Sequence, residues 1–418
     1  MPSGETIALT IDHVGVRGDG VATWNGETIY IPFTAPGDQV RAKLGAKQGE
    51  GRAAALIELV SPGARAKPVC RHFGECGGCA LQHLDEAAYI AAKTQWVQTA
   101  LTQQRLTPGT VAPMRRFPPG IRRRARFQLN PAGTGFHARA SHRIVDLKEC
   151  AVLHPRLVAL VPALRQAAKL LTPPGTHAAA NATLAENGID LLLDLPAVPN
   201  LPQLEALAEF ARAQDLARIS WRRRELITPA AIGRKPVVTL SGVAVELPED
   251  AFLQPSLEVE ASLTAAVIAL AGKARAIADL YAGIGTFTFA LARQRKVHAV
   301  EGAESAVAAI NRAAAQAGLA AVVSTETRDL ARRPLDEGEL ARFDLVVFDP
   351  PYAGAAEQAH ALAASQVPRI IAVSCNPASF ARDARLLVDG GYRLVEVRPF
   401  DSFIWSANLE LVALFERR

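Results

Sequence analysis

Five cysteines stand in the 418-residue chain, and four of them sit at spacings that can hold a metal centre. Cys70, Cys76 and Cys79 form C-x5-C-x2-C within CRHFGECGGCALQH, and Cys150 follows in DLKEC. Gly74, Gly77 and Gly78 let the backbone wrap closely around such a centre. Zinc and iron–sulfur chemistry both accept four thiolates. Zinc ribbons use two short C-x2-C pairs, which are absent here, so the spacing favours a [4Fe-4S] cluster. His72 and His83 read as neighbours of the centre or surface groups. Cys375, left over by the count, lies in VSCNP at the end of an apolar strand. The following helix N-terminus would lower its thiol pKa. Its place beyond a sheet edge, beside the loop of Asp349, makes it a candidate nucleophile.

The elements that must position these groups are legible from residue 250 onward. Apolar strands (AIADLYAG, VHAVEG, FDLVVFDPPYAG, RIIAVSCNP) alternate with helical stretches (FTFALARQ, SAVAAINRAAAQAG). This pattern predicts an α/β fold with a doubly wound parallel sheet and a ligand beyond the carboxyl ends of its strands. YRLVEVRPFD and LELVALFER have no helix between them and are expected as an antiparallel pair at the sheet edge. Gly283 and Gly285 fall on the turn after the first strand, and Glu301 ends the next strand, where it could accept from both ribose hydroxyls of a nucleoside. Thr288 stands where a dinucleotide fold has its third glycine. With DPPY at a later strand end, this points to S-adenosylmethionine.

Upstream, residues 5–60 alternate in short runs with an Asn25-Gly26 hairpin turn, predicting a small OB-like β-barrel. The linker SPGARAKP leads to Cys70, residues 85–104 read as helix, and 121–147 read as strands. Three domains are expected: a barrel over 1–62, a central α+β unit over 63–247 and the doubly wound unit over 248–418. Charge divides with them. Residues 1–250 carry 29 basic and 22 acidic side chains, against 17 and 19 in the remainder, within a net charge of +5. Arg115, Arg116, Arg122, Arg123, Arg124 and Arg126 form a run without an intervening acid, with Phe117 and Phe127 interleaved. That composition suits phosphates and unstacked bases. A second cluster, Arg222 to Arg224, reads equally as a solvated face. No apolar run is long enough to span a membrane, and Glu5, Asp12, Arg17 and Asp19 rule against a signal peptide. A cytoplasmic monomer with unpaired thiols is expected.

With these motifs in place, the chain resembles the RNA 5-methyluridine (uracil-C5) methyltransferases, most of all their iron–sulfur, ribosomal-RNA branch with an N-terminal TRAM domain. The resemblance runs through CRHFGECGGC, RRRARFQLN, IVDLKEC, FLQPS, DLYAGIGTFT, FDPPYAG, SCNPASFARD and NLELVALFER. It implies Cys70, Cys76, Cys79 and Cys150 as cluster ligands. It implies Gln254, Tyr281, Thr286, Glu301, Asp329 and Asp349 around S-adenosylmethionine, Cys375 as nucleophile and Glu410 as base. Arg122, Arg123, Arg124 and Arg126 are then expected on RNA. Tyr352 departs from the arginine common after DPP, Thr286, Asp329 and Ser256 replace frequent asparagines, and D-P-P-Y also resembles amino-directed methyltransferases. Transfer RNA as substrate, amino-group methylation and non-catalytic RNA binding stay open at this point. The uracil chemistry itself requires a thiolate at C6 and a base for the C5 proton. Alternation along the last strand puts Glu410 with Val412 and Leu414, where desolvation raises a carboxyl pKa.

Overall fold

The computed structural model describes residues 4–173 and 175–417. Residues 6–61 form a six-stranded sheet around Ile7, Leu9, Ile29, Ile31, Val40 and Leu44. Asn25 and Gly26 both take positive φ (49° and 79°) at the tight turn between Asp19–Trp24 and Glu27–Pro32. The middle of the chain forms a seven-stranded sheet, antiparallel except where Gly188–Asp194 pairs in parallel with Leu216–Arg223. The crossover between those two strands is the helix Leu201–Ala213, started by an Asn200–Gln203 capping box. This helix and Val161–Leu171 cover a core of Phe127, Leu129, Leu164, Leu191 and Ile219.

The C-terminal sheet has seven main strands, here β1 (Ala276–Leu280), β2 (Lys296–Glu301), β3 (Val323–Thr327), β4 (Leu345–Phe348), β5 (Arg369–Ser374), β6 (Tyr392–Asp401) and β7 (Glu410–Arg417). Their order is β3-β2-β1-β4-β5-β7-β6, and β7 runs antiparallel to both its neighbours. The doubly wound sheet and its terminal antiparallel pair are as expected. The edge is covered, however: Thr110–Val111 and Arg115–Arg116 pair in parallel with β6. A strand edge with free N–H and C=O groups is thereby closed by a segment from far upstream.

Two further segments read as part of the middle unit pack on this sheet instead. The hairpin Val237–Leu240 and Val243–Glu246 buries Val238, Leu240 and Val245 with Val259 and Leu263. The helix Glu86–Gln103 is N-capped by Asp85 and sends Val97, Ala100 and Leu101 into the core shared with Val346, Ile370 and Leu411. On its other side Trp96 packs with Val14 and Leu81 and donates to the Val14 carbonyl at 2.9 Å.

Arg123, at the start of the strand Arg124–Asn130, is 3% exposed, donates to the Gln254 carbonyl at 3.0 Å and pairs with Glu260 on the helix Leu257–Ala271. Removing one member of a buried pair strands the other charge. Arg123→Met should therefore cost about 3 kcal/mol or more of stability, read from the shift of the denaturant midpoint, and the double change with Glu260→Leu should recover much of it.

Candidate active site and thiol-lined cavity

The carboxyl ends of β1, β2, β4 and β5 frame one site. After Leu280 the chain turns through Tyr281 (φ 59°), Gly283 (φ 55°) and Gly285 (φ 99°) into the helix Thr286–Ala292. A Cβ at Gly285 would sit 2.6 Å from the Phe289 ring, whereas one at Gly283 would meet nothing within 4 Å. Gly285 is thus needed for packing, and Gly283 faces open space where a ligand can approach the backbone. Thr286 is half-buried at the first residue of the helix. Glu301, at the end of β2, accepts from the amides of Gly283 and Ala303, both at 2.9 Å. One carboxylate therefore shapes the glycine turn, and each oxygen keeps a lone pair for a ligand hydroxyl.

Asp349 follows β4 and accepts from Gln254 Nε2 at 3.2 Å; desolvation pushes its carboxyl up to about 7. Burial, with Asp383, Asp329 and Glu301 nearby, pushes the Tyr281 phenol up to about 12. Asp329 is at the rim: its side chain is exposed, accepts from the Ala331 amide at 3.0 Å and faces Arg332. Ser256 caps the helix Leu257–Ala271 by accepting from Val259 N–H at 3.2 Å. One acid was missed in the sequence. Asp279, wholly buried in β1, accepts from the Thr288 hydroxyl at 2.5 Å, and its other oxygen has no partner. Burial, with Asp349 and Glu301 nearby, pushes it up to about 7. Thr288 thus has a role of its own where the motif lacked a glycine.

Cys375 follows β5 directly, and Glu410 opens β7. The register pairs Ser374 with Leu411, so the next pair outward is Cys375 with Glu410. Glu410 is 3% exposed, and burial, with Asp349 nearby, pushes its carboxyl well above the usual range. Leu409, Leu411 and Ala413 pack in one core layer while Val412 and Leu414 pack in the other. The thiol corrects the expectation for Cys375. Burial, then the charges of Glu410 and Asp349, push it up to about 12. Asn376 caps that helix and, with Ser379, donates to the Tyr352 carbonyl at 3.1 Å. The Tyr352 ring is 60% exposed.

Cys70, Cys76, Cys79 and Cys150 line a second cavity of about 260 Å3, together with Gln82, Arg122 and Phe403. All four are free thiols. Burial is the main force raising Cys76, Cys79 and Cys150, and charge on the other thiols adds to it. His72 Nε2 accepts from the Lys148 amide and His83 Nε2 meets the Thr34 carbonyl, both at 3.0 Å, so each ring has a structural partner. Among the described residues, no three His, Cys, Asp or Glu side chains gather closely enough to share a single ion.

Comparison with known proteins gives this geometry a family. Residues 237–418 match the model of the tRNA (uracil-5-)-methyltransferase family. An RNA methyltransferase of Brucella melitensis is 40% identical over the whole chain and 99% of its own length. The 23S rRNA (uracil(1939)-C(5))-methyltransferase of Aeromonas salmonicida is 32% identical over 99% of this chain and 97% of its own length. The chain belongs to the RNA (uracil-C5) methyltransferase family. It is accordingly an S-adenosylmethionine-dependent RNA methyltransferase. Its fold agrees over full length with the Pyrococcus abyssi tRNA (uracil-54, C5)-methyltransferase, with a TM-score of 0.73 at 23% identity, covering 98% of this chain and 100% of that one.

For an RNA methyltransferase the arginine run needs correcting. Arg123 is spent on Glu260, and Phe117 and Phe127 are buried at 8% and 0% exposure, so neither ring offers a face for bases. Arg122 lies at the thiol cavity with its guanidinium 5.5 Å from the Phe403 ring centre. Arg124 donates to the Leu253 carbonyl and stacks 4.9 Å over Phe252. Arg126 is exposed and pairs with Asp194 at 2.7 Å. Arg222 of the second cluster is taken by Asp194 and Asp250.

The raised thiol has a measurable consequence. In the protein without ligands, alkylation of Cys375 by iodoacetamide should climb about tenfold per pH unit from about pH 7 to about pH 10 without levelling. Peptide mass spectrometry reads this, and a plateau near neutrality would refute the raised value.

Proposed function

We propose that this methyltransferase acts on C5 of a uridine in ribosomal RNA, with Cys375 as nucleophile and Glu410 as base. The observation that carries the reading is that Cys375 and Glu410 lie one step beyond the Ser374–Leu411 pair, close enough for the Glu410 carboxylate to act on the thiol. The full-length likeness to a 23S rRNA enzyme supports the ribosomal substrate. To S-adenosylmethionine we assign Gln254, Tyr281, Gly283, Gly285, Thr286, Glu301, Asp329 and Asp349. The open face at Gly283 and the carboxylates suit a nucleoside bearing positive charge. The cofactor supplies a methyl group on a sulfonium, whose positive charge favours the anionic forms of Cys375 and Glu410.

Cys375 loses its proton to water, and the thiolate adds to C6, pushing the double-bond electrons onto C5 as an enolate. C5 takes the methyl group while its former carrier keeps the bonding pair. Glu410 then takes the C5 proton; the C–H electrons restore the C5=C6 bond and expel the thiolate. The target base must leave its stack to reach Cys375. An amino-directed reaction needs neither group. Glu410→Gln should methylate its RNA yet accumulate a protein–RNA complex stable to denaturing electrophoresis, and Cys375→Ala should form none. Mapping 5-methyluridine in ribosomal and transfer RNA of a deletion strain decides the substrate: loss from transfer RNA alone would overturn the ribosomal assignment.

We propose further that Cys70, Cys76, Cys79 and Cys150 hold a [4Fe-4S] cluster. Four thiols around one cavity fit a centre that takes one thiolate at each corner. The cluster has no redox step in the chemistry above, and its contribution is to fold the loop that carries it. Protein purified without oxygen should hold about four irons per chain and absorb broadly near ~400 nm. Stoichiometric zinc instead would refute the cluster, and Cys76→Ser should abolish both signals.

A further inference from the structure

Glu410 opens β7 opposite Phe400 of β6, and the loop of residues 402–409 joins the two strands and leads directly into it. That loop has no regular secondary structure and includes Trp405 at φ 58°, a conformation that a bulky side chain rarely adopts. Residues from far upstream hold it. The Lys93 ammonium, wholly buried, donates to Asp401 Oδ1, to the Phe403 carbonyl at 3.2 Å and to the Asn408 carbonyl at 3.0 Å. An ammonium has three protons, and each is used, on both ends of the loop and on the strand before it. Tyr89 donates to Asp401 Oδ2 at 2.7 Å and accepts from the Trp405 amide at 3.0 Å. Ala80 and Leu81, just after Cys79, donate to the Trp405 carbonyl at 2.8 and 3.1 Å. Phe403, at the other side of the loop, lies under Arg122.

We infer that Lys93, with Tyr89 and Asp401, is a positioning residue for Glu410, locking the loop so that the carboxylate meets the C5 proton. The inference rests on the proposed role of Glu410. Asn408 is two residues from Glu410, and without Lys93 its carbonyl has no donor from that side. The start of β7 that carries the base would then loosen while Cys375, just after β5, keeps its place. Loss of the lock should resemble loss of the base: adduct formation and methyl transfer proceed, and release of the product is slow.

A lone Lys93→Met change strands the Asp401 charge and lowers stability, so the deciding variant is Lys93→Met with Asp401→Asn. That pair keeps side-chain volume, leaves no buried charge and retains the Tyr89 hydrogen bond. The probe is unmodified total RNA from the deletion strain, with Glu410→Gln and Cys375→Ala run alongside. The double variant should melt near the parent, keep KM for RNA within about twofold, lose about 10- to 100-fold in kcat, and accumulate the denaturant-stable complex. Adding Cys375→Ala should remove that complex. Parental turnover in a stably folded double variant would overturn the lock, as would equal loss of methyl transfer and adduct while Glu410→Gln still traps RNA. If Glu410→Gln traps nothing, the role of Glu410 fails first and the lock falls with it.

Discussion

Lys93 and Asp401 meet with no side-chain surface left to solvent on either partner. A buried ion pair adds little net stability against an apolar replacement, yet it is costly to half-remove, so its value lies in fixing a geometry. Here it joins parts of the chain 308 residues apart. The helix that carries Lys93 also reaches the N-terminal sheet through Trp96 and the C-terminal core through Val97 and Leu101. Barrel, thiol loop and catalytic sheet are thus referred to a single buried contact.

The active site gathers acids and offers few cations. Asp279 and Asp349 are pushed up to about 7, Glu410 well above the usual carboxylate range and the Cys375 thiol to about 12, in each case chiefly by burial. Taken out of water together, these groups hold protons that they would otherwise release. A positive charge entering the pocket reverses that balance. In the roles proposed for Cys375 and Glu410, this would keep both protonated until the site is loaded.

Local patterns were the legible part of the sequence. The strand–helix alternation, the Gly283–Gly285 turn and the C-x5-C-x2-C spacing each lie within short windows, and the sheet followed from the first of them. The arginine run shows why the rest was harder. Read as charge, its members look alike; read with a period of two, Arg123 shares the inward face of Phe127 and Leu129, and that signal was available. Lys93 likewise falls on the helical stripe of Tyr89, Trp96 and Val97. Its partner could not be read, because nothing in the chain before the fold says that Asp401 comes to meet it. The lowered thiol pKa expected for Cys375 failed for a related reason: a helix N-terminus is a local feature, whereas burial and the charges of Glu410 and Asp349 come from three separate strand ends.

The placement of β7 between β5 and β6 bears on how the protein is made. On the ribosome, β1 to β5 can pair as they emerge, but β6 has only the short Thr110–Val111 and Arg115–Arg116 segments beside it until residues 410–417 arrive to bridge it to β5. The Thr110–Val111 and Arg115–Arg116 segments dock on β6, so they wait as well. Lys93 must remain hydrated, its helix incompletely packed, through most of synthesis. Assembly of this side of the sheet is therefore a late, long-range event, and a chain truncated before β7 would lack Glu410 and the strand that joins β6 to β5 at once.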